Sequence, residues 1–267
     1  IDIVLAPSHT SLRSLQTVIS TDKLKIKLSS QDVSMYEEGA YTGEVSSTQL
    51  KKLDISYSIV GHSERRALLN ENNEIVNQKL KRLQEKNITP IFCFGEPIEN
   101  REKNTYLEFI QNQLNEGLMG IRKGNVNEII FAYEPRWAIG TGKIPKLSEL
   151  RKNFQQINNI INKLKKNQKY KIIYGGSVNS KNANEISNLG NLVEEPITWS
   201  IPPTIDQGKE FSHGEHEAEG FLKVLKSDAV NPTKCNHVAL LRNKLCVMNY
   251  LSAPVPVDED NYMYRGI

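Results

Sequence analysis

Three short stretches combine groups capable of acid–base chemistry with backbone suited to holding an anion. Residues 129–143, IIFAYEPRWAIGTGK, run from an apolar, β-forming segment into a carboxylate, Glu134, and then into Pro135, Trp137, Gly140 and Gly142. That order predicts a strand that ends in a mobile loop, with Glu134 at the strand's carboxyl end as a candidate general base. Taken alone, such a glutamate reads equally as a capping or ion-paired acid. Residues 61–66, GHSERR, follow the apolar run 57–60 and place His62 at the opening of a helix. The positive end of the helix dipole there keeps an imidazole neutral, and a neutral ring can donate a hydrogen bond to a carbonyl and polarise it. A lone histidine more often has a structural role. Residues 174–178, YGGSV, set the only Gly-Gly pair of the chain beside Ser177. Amides freed by glycine, together with a hydroxyl, suit a phosphate dianion, although a tight turn has the same composition.

These groups need a frame that brings strand ends together. Short β-rich runs near 3–6, 27–31, 57–60, 89–94, 129–133 and 171–174 alternate with helical patterns up to about residue 190. Val76, Leu80 and Leu83 share one helix face, Leu107, Ile110, Leu114 and Leu118 a second, and Leu150, Phe154, Ile157, Ile161 and Leu164 a third. Regular strand–helix alternation predicts parallel βαβ units with right-handed crossovers, in a doubly wound sheet or most of an eight-stranded barrel. Gln31, His62 with Glu64, Glu96, Glu134 and Ser177 all follow apolar runs, and in a closed barrel they would converge on one mouth. The first strand lacks a GxGxxG turn after it. The expected class is therefore α/β, a barrel.

Beyond about residue 190 the pattern breaks. Pro196, Pro202 and Pro203 interrupt regular structure and a polar stretch covers 206–219, with short helical patterns at 218–226 and 237–251. The expected division is a barrel region at 1–190 and an unassigned, irregular segment at 191–267. His213 and His216 lie three apart, but Gly214 and polar neighbours favour a loop, so no metal site is expected. A formal net charge of +3, evenly spread, gives no reason to expect nucleic acid or membrane partners. Three cysteines, Cys93, Cys235 and Cys246, cannot make a disulfide framework, and neither a signal peptide nor a long apolar run is found. A cytoplasmic protein is expected.

The motifs GHSERR, AYEPRWAIGTGK and IIYGGSV, in this order and at these separations, resemble those of the triosephosphate isomerase family. AYTGEVS, opening on Ala40 and closing on Ser46, is similar to the family's dimer-forming loop, and FCFGE at 92–96 to its fifth strand end. The resemblance covers residues 3–190 and implies a (β/α)8 TIM barrel. It implies an aldose–ketose isomerase that interconverts dihydroxyacetone phosphate and glyceraldehyde 3-phosphate, in glycolysis and gluconeogenesis, without metal or organic cofactor. Glu134 would shuttle the proton between adjacent carbons, and His62 would stabilise the enediolate oxygens. The loop 135–143 would be the lid, with the Gly140 amide and Ser177 binding substrate phosphate. Glu64 would be a buried supporting acid, and Cys93 a packing residue behind the base. A homodimer through residues 40–46 is implied as well.

The sequence departs from the family in two places. The family's first strand carries an Asn and a Lys in an NWK motif, and its eighth strand ends in a Gly-Gly pair; neither motif is found here. The expected barrel is thus incomplete, with its first strand absent and its eighth not recognisable. Two readings stay open, an isomerase of impaired activity and an inactive remnant that serves as a structural or interaction module.

Overall fold

The computed structural model describes residues 2–121, 128–138, 145–164, 170–176, 186, 198–199 and 245–249. Six strands form where the apolar, β-rich runs lie: β1 (Asp2–Ala6), β2 (Ile26–Ser30), β3 (Tyr57–Val60), β4 (Thr89–Phe94), β5 (Ile129–Tyr133) and β6 (Tyr170–Tyr174). Each pairs in parallel with the next, in registers such as Ile3 with Ile26, Val60 with Phe92, and Cys93 with Ala132. Two more parallel strands flank the six. β7 (Thr198–Trp199) pairs with β6, and β8 (Leu245–Asn249) pairs with β1.

The side-chain period of a strand explains why the sheet buries both faces. On its inner face Val4, Ala6, Ile59, Ile91, Cys93, Ile130, Ala132 and Ile173 form one apolar cluster. Alternate residues, including Leu5, Phe92, Phe94, Phe131, Tyr133 and Tyr174, form a second with the helices outside. This is a curled half-barrel of parallel strands under a helical layer, the architecture of an incomplete TIM barrel.

Among the described residues the helices are α1 (Leu12–Thr21), α2 (Ser47–Lys52), α3 (Ser63–Leu68), α4 (Asn73–Glu85), α5 (Ile98–Glu102), α6 (Tyr106–Gly117) and α7 (Leu147–Leu164). Local chemistry sets their starts. Ser46 and Gln49 form a reciprocal capping box on α2, and the Asn72 side chain accepts from the Ile75 amide to open α4. The apolar stripes bury as their spacing requires: Val76, Leu80 and Leu83 on α4, Ile110 and Leu114 on α6, and Leu150, Phe154, Ile157 and Ile161 on α7. No helix among the described residues is long and apolar enough to cross a membrane.

The segment after 190 differs from expectation where it is described. Residues 245–249 form a strand, not part of a helix over 237–251. Helical spacing of apolar residues is a weak signal over so short a run, and the LCVMN segment finds a ladder on β1 that a helix could not use. The helical pattern at 218–226 and the histidines His213 and His216 lie outside the described residues.

Candidate active site

β3 delivers His62 to the carboxyl rim of the sheet, where it caps α3. Its Nδ1 accepts from the Glu64 amide at 3.4 Å, an assignment that leaves the proton on Nε2. The Glu64 carboxylate, 3.7 Å from Nδ1, lies beyond hydrogen-bond reach and does not change that tautomer. Glu64 differs from expectation in one respect: its side chain is 49% exposed rather than buried. It stands in the first turn of a short helix and faces solvent, while the buried acids of this region are Asp32, Glu71, Glu96 and Glu134.

β5 delivers Glu134. Its amide donates to the Phe94 carbonyl at 2.8 Å, extending the β4–β5 ladder by one residue and fixing the backbone. The side chain is almost fully enclosed, yet Oε2 accepts from the Ser63 amide at 3.2 Å and Oε1 lies 3.6 Å from His62 Nε2. The first free amide of α3 and the imidazole that caps it thus both face one carboxylate. Two groups that the sequence placed 72 residues apart meet in one small volume.

Glycine makes that volume available. A Cβ on Gly95 would stand 1.8 Å from the Glu134 carbonyl oxygen, and one on Gly175 would stand 2.6 Å from the Glu134 Cγ. Both positions need bare backbone because another chain segment occupies the side-chain space. The first glycine of the Gly-Gly pair, read from sequence as an anion cradle or a turn, here gives the Glu134 side chain room, while the second leaves space for the Tyr174 hydroxyl. Cys93, on the inner face of β4, is buried, and burial together with the Glu134 charge pushes its thiol well above its ordinary range. It is a protonated packing group at neutral pH. Gly140 and Ser177 lie outside the described residues, as does the loop beyond Ala138.

The start of that loop is pinned by Glu96, which the sequence placed at a strand end, and by Tyr133 and Arg101, which sequence reasoning passed over. The short 3-10 turn Arg136–Ala138 is separated from Glu134 by one residue, Pro135, and the Arg136 amide donates to the Glu96 carbonyl at 3.0 Å. The Glu96 carboxylate, fully buried, accepts from Trp137 Nε1 at 3.1 Å and from the Tyr133 hydroxyl at 3.2 Å to each oxygen. Arg101 Nη1 stands 3.5 Å away and its guanidinium stacks on Tyr106. Burial raises the Glu96 carboxyl above its ordinary value, against the opposing pull of these donors. Burial raises the hydroxyls of Tyr133 and Tyr174 too.

A second buried cluster holds the helix that His62 caps. Lys79 bonds Asp32 at 2.7 and 2.9 Å and makes a short bond to Glu71; Arg65 bonds Glu71 at 2.6 Å and Asp32 at 2.8 Å. Burial raises the Asp32 carboxyl, with Lys79 opposing it. For Glu71 the upward push of burial is outweighed by Lys79 and Arg65, which hold it below the usual range. Arg66 donates to the Gly61 carbonyl at 2.7 Å and to Asn73 at 2.7 Å, locking the turn that presents His62. One signal for this cluster was present in the sequence: Lys79 sits in the apolar stripe of α4, three residues after Val76 and four before Leu83.

A parallel β/α half-barrel that brings a carboxylate and an imidazole together at the carboxyl ends of its strands belongs to the α/β-barrel class, with its candidate site on that rim. The sequence model of the family described as triosephosphate isomerase matches residues 1–192, and the chain belongs to that family. The chain is 40% identical over 189 residues to a triosephosphate isomerase of Corynebacterium glutamicum, covering 70% of this chain and 73% of that protein. It is 41% identical over 189 residues to that of Corynebacterium efficiens, covering 70% and 72%. For that of Nocardia farcinica the figures are 38% over 199 residues, 73% and 74%.

Proposed function

We propose that this chain is a triosephosphate isomerase, interconverting dihydroxyacetone phosphate and glyceraldehyde 3-phosphate through an enediolate. One observation carries the reading: His62 Nε2 and the Ser63 amide both face the enclosed carboxylate of Glu134, at 3.6 and 3.2 Å. Glu134 removes a proton from the carbon next to the substrate carbonyl and returns it to the neighbouring carbon. His62, with its Nε2 proton, donates to the carbonyl oxygen and stabilises the charge that develops there. Gly140 and Ser177 are assigned to the substrate phosphate by the family motif, and no cofactor is needed for the chemistry.

A coupled assay of the purified chain tests this. Glu134→Gln is expected to lower kcat by about 10²- to 10⁴-fold, the range for losing a positioned general base. Turnover that is absent in the unaltered chain, or indifferent to Glu134, overturns the isomerase reading and leaves the inactive module.

We further propose a cytoplasmic homodimer formed through the loop from Ala40 to Ser46. Tyr36 and Tyr41, on either side of that loop's start, stack with ring centroids 4.1 Å apart and remain partly exposed. They line a cavity of about 330 Å³ with Thr42, Glu44 and Arg65. Leu68 and Leu69, at the end of the helix that carries Arg65, are 76% and 57% exposed. Apolar surface of this kind is suited to a second copy.

A further inference from the structure

The parallel register of β3 with β4 ends at Val60 with Phe92. Gly61 then turns the chain away with a φ of 71°, so that His62 opens α3 instead of continuing the strand. One side chain spans the break. Arg66 Nε donates to the Gly61 carbonyl at 2.7 Å and its Nη2 donates to the Cys93 carbonyl at 3.4 Å, so a single guanidinium holds the ends of both strands. The fit is close, since a Cβ on Gly61 would stand 2.9 Å from Arg66 Nη2. Nη1 donates to Asn73 Oδ1 at 2.7 Å, and the Asn73 side-chain nitrogen donates in turn to Glu116 on α6 at 2.9 Å. The guanidinium is thereby anchored from the helical layer outside the sheet.

Both groups of the candidate site hang from the bonds it makes. The Gly61 carbonyl belongs to the peptide that leads into His62. The Cys93 carbonyl belongs to the peptide that leads into Phe94, whose own carbonyl accepts the Glu134 amide at 2.8 Å. We propose that Arg66 is a positioning residue: by clamping the end of β3 to the end of β4 it sets the separation between the His62 imidazole and the Glu134 carboxylate. A planar fork suits this task because its donors diverge at fixed angles, whereas an ammonium is a point charge on a flexible stem. Burial lowers the Arg66 guanidinium below its ordinary value, against the pull of the Glu134 and Glu71 carboxylates. It nevertheless stays a cation at any working pH, so the clamp does not titrate away.

Arg66→Met and Arg66→Lys test this by kinetics and by the imidazole nitrogen NMR signals of the isotope-labelled chain. His62→Gln assigns the His62 signals, and His9, which bonds the Asp32 carbonyl at 3.0 Å, is the internal reference. The parent is expected to show His62 protonated on Nε2. Arg66→Met is expected to move the His62 signals toward the tautomer mixture of a free imidazole while His9 stays in place, and to lower kcat about 10²-fold with KM within about threefold. Arg66→Lys keeps the charge without the fork and is expected to behave as Arg66→Met does. Unmoved His62 signals in Arg66→Met, joint movement of His62 and His9, or parent-like signals in Arg66→Lys overturn the proposal. Should circular dichroism show that neither variant folds, Asn73→Ala carries the test by releasing only the outer anchor. It is expected to displace the His62 signals in the same direction and to lower kcat about fivefold, the effect of one lost hydrogen bond, and unmoved signals overturn the proposal. The kinetic part rests on the isomerase reading and the spectrum does not. A parent without turnover defeats that reading, while the His62 signals still decide the role of Arg66.

Discussion

At Gly175 a single added methyl would meet the Glu134 side chain at 2.6 Å. The Glu134 side chain, not the surrounding fold, is the group that must yield, since its atoms are the nearest. Gly175→Ala is therefore expected to lower kcat by about 10²-fold, the cost of an ångström-scale misplacement, with an unfolding midpoint in urea close to that of the parent. A variant of unchanged kcat would show that Glu134 has slack. Glu96 carries a pH prediction. Its folded-state pKa is raised above the ordinary 4.5, so the native state keeps a proton that the unfolded chain has lost. The contribution of Glu96 to stability then falls as pH rises from 4.5 through the raised value, and levels off above it. Glu96→Gln keeps an acceptor for Trp137 and Tyr133 and removes the titration. Urea unfolding across this window is expected to show a downward slope that is steeper in the parent than in the variant, which keeps the contribution of the raised Asp32 carboxyl.

The elements of the rim are held by charge as much as by apolar contact. Asp32 follows β2, Arg65 belongs to α3, Glu71 lies in the turn just before α4 and Lys79 in the body of α4, so a single cluster ties three elements beside His62. Lys79→Met leaves two enclosed carboxylates with only Arg65 and is expected to cost about 3–5 kcal/mol in urea unfolding. A loss below about 1 kcal/mol would place the cluster in the class of solvent-screened pairs. Sequence pattern made α4 legible through Val76, Leu80 and Leu83, and it made His62 legible as a helix-opening residue. It did not reveal why two arginines follow. Arg65 and Arg66 act on partners from other elements, Asp32 and Cys93 among them, and no local spacing encodes such contacts.

For the whole molecule, six strands and their parallel order could be read from alternating apolar runs, because each is buried on both faces and flanked by an amphipathic helix. β8 could not. Its pairing is with the first strand of the chain, more than two hundred positions earlier, and its five residues carry no turn signals of a barrel unit. The proposed assembly belongs to this scale. Sedimentation of the purified chain is expected to give a dimer at micromolar concentration, and Tyr41→Glu is expected to shift it to monomer by placing charge in the Tyr36–Tyr41 stack. A parent that sediments as a monomer, or a dimer that is indifferent to Tyr41→Glu, removes that loop from the interface.

The bond between Trp137 and Glu96 gives the molecule an optical signal. The sequence has two tryptophans, Trp137 and Trp199, and the first holds a buried carboxylate through its indole nitrogen at the entrance to the loop after Glu134. Any movement of the turn Arg136–Ala138 would stretch that bond and change the polarity around one of only two indoles. With Trp199→Phe as background, emission from Trp137 would report any displacement of the turn Arg136–Ala138 from Glu96.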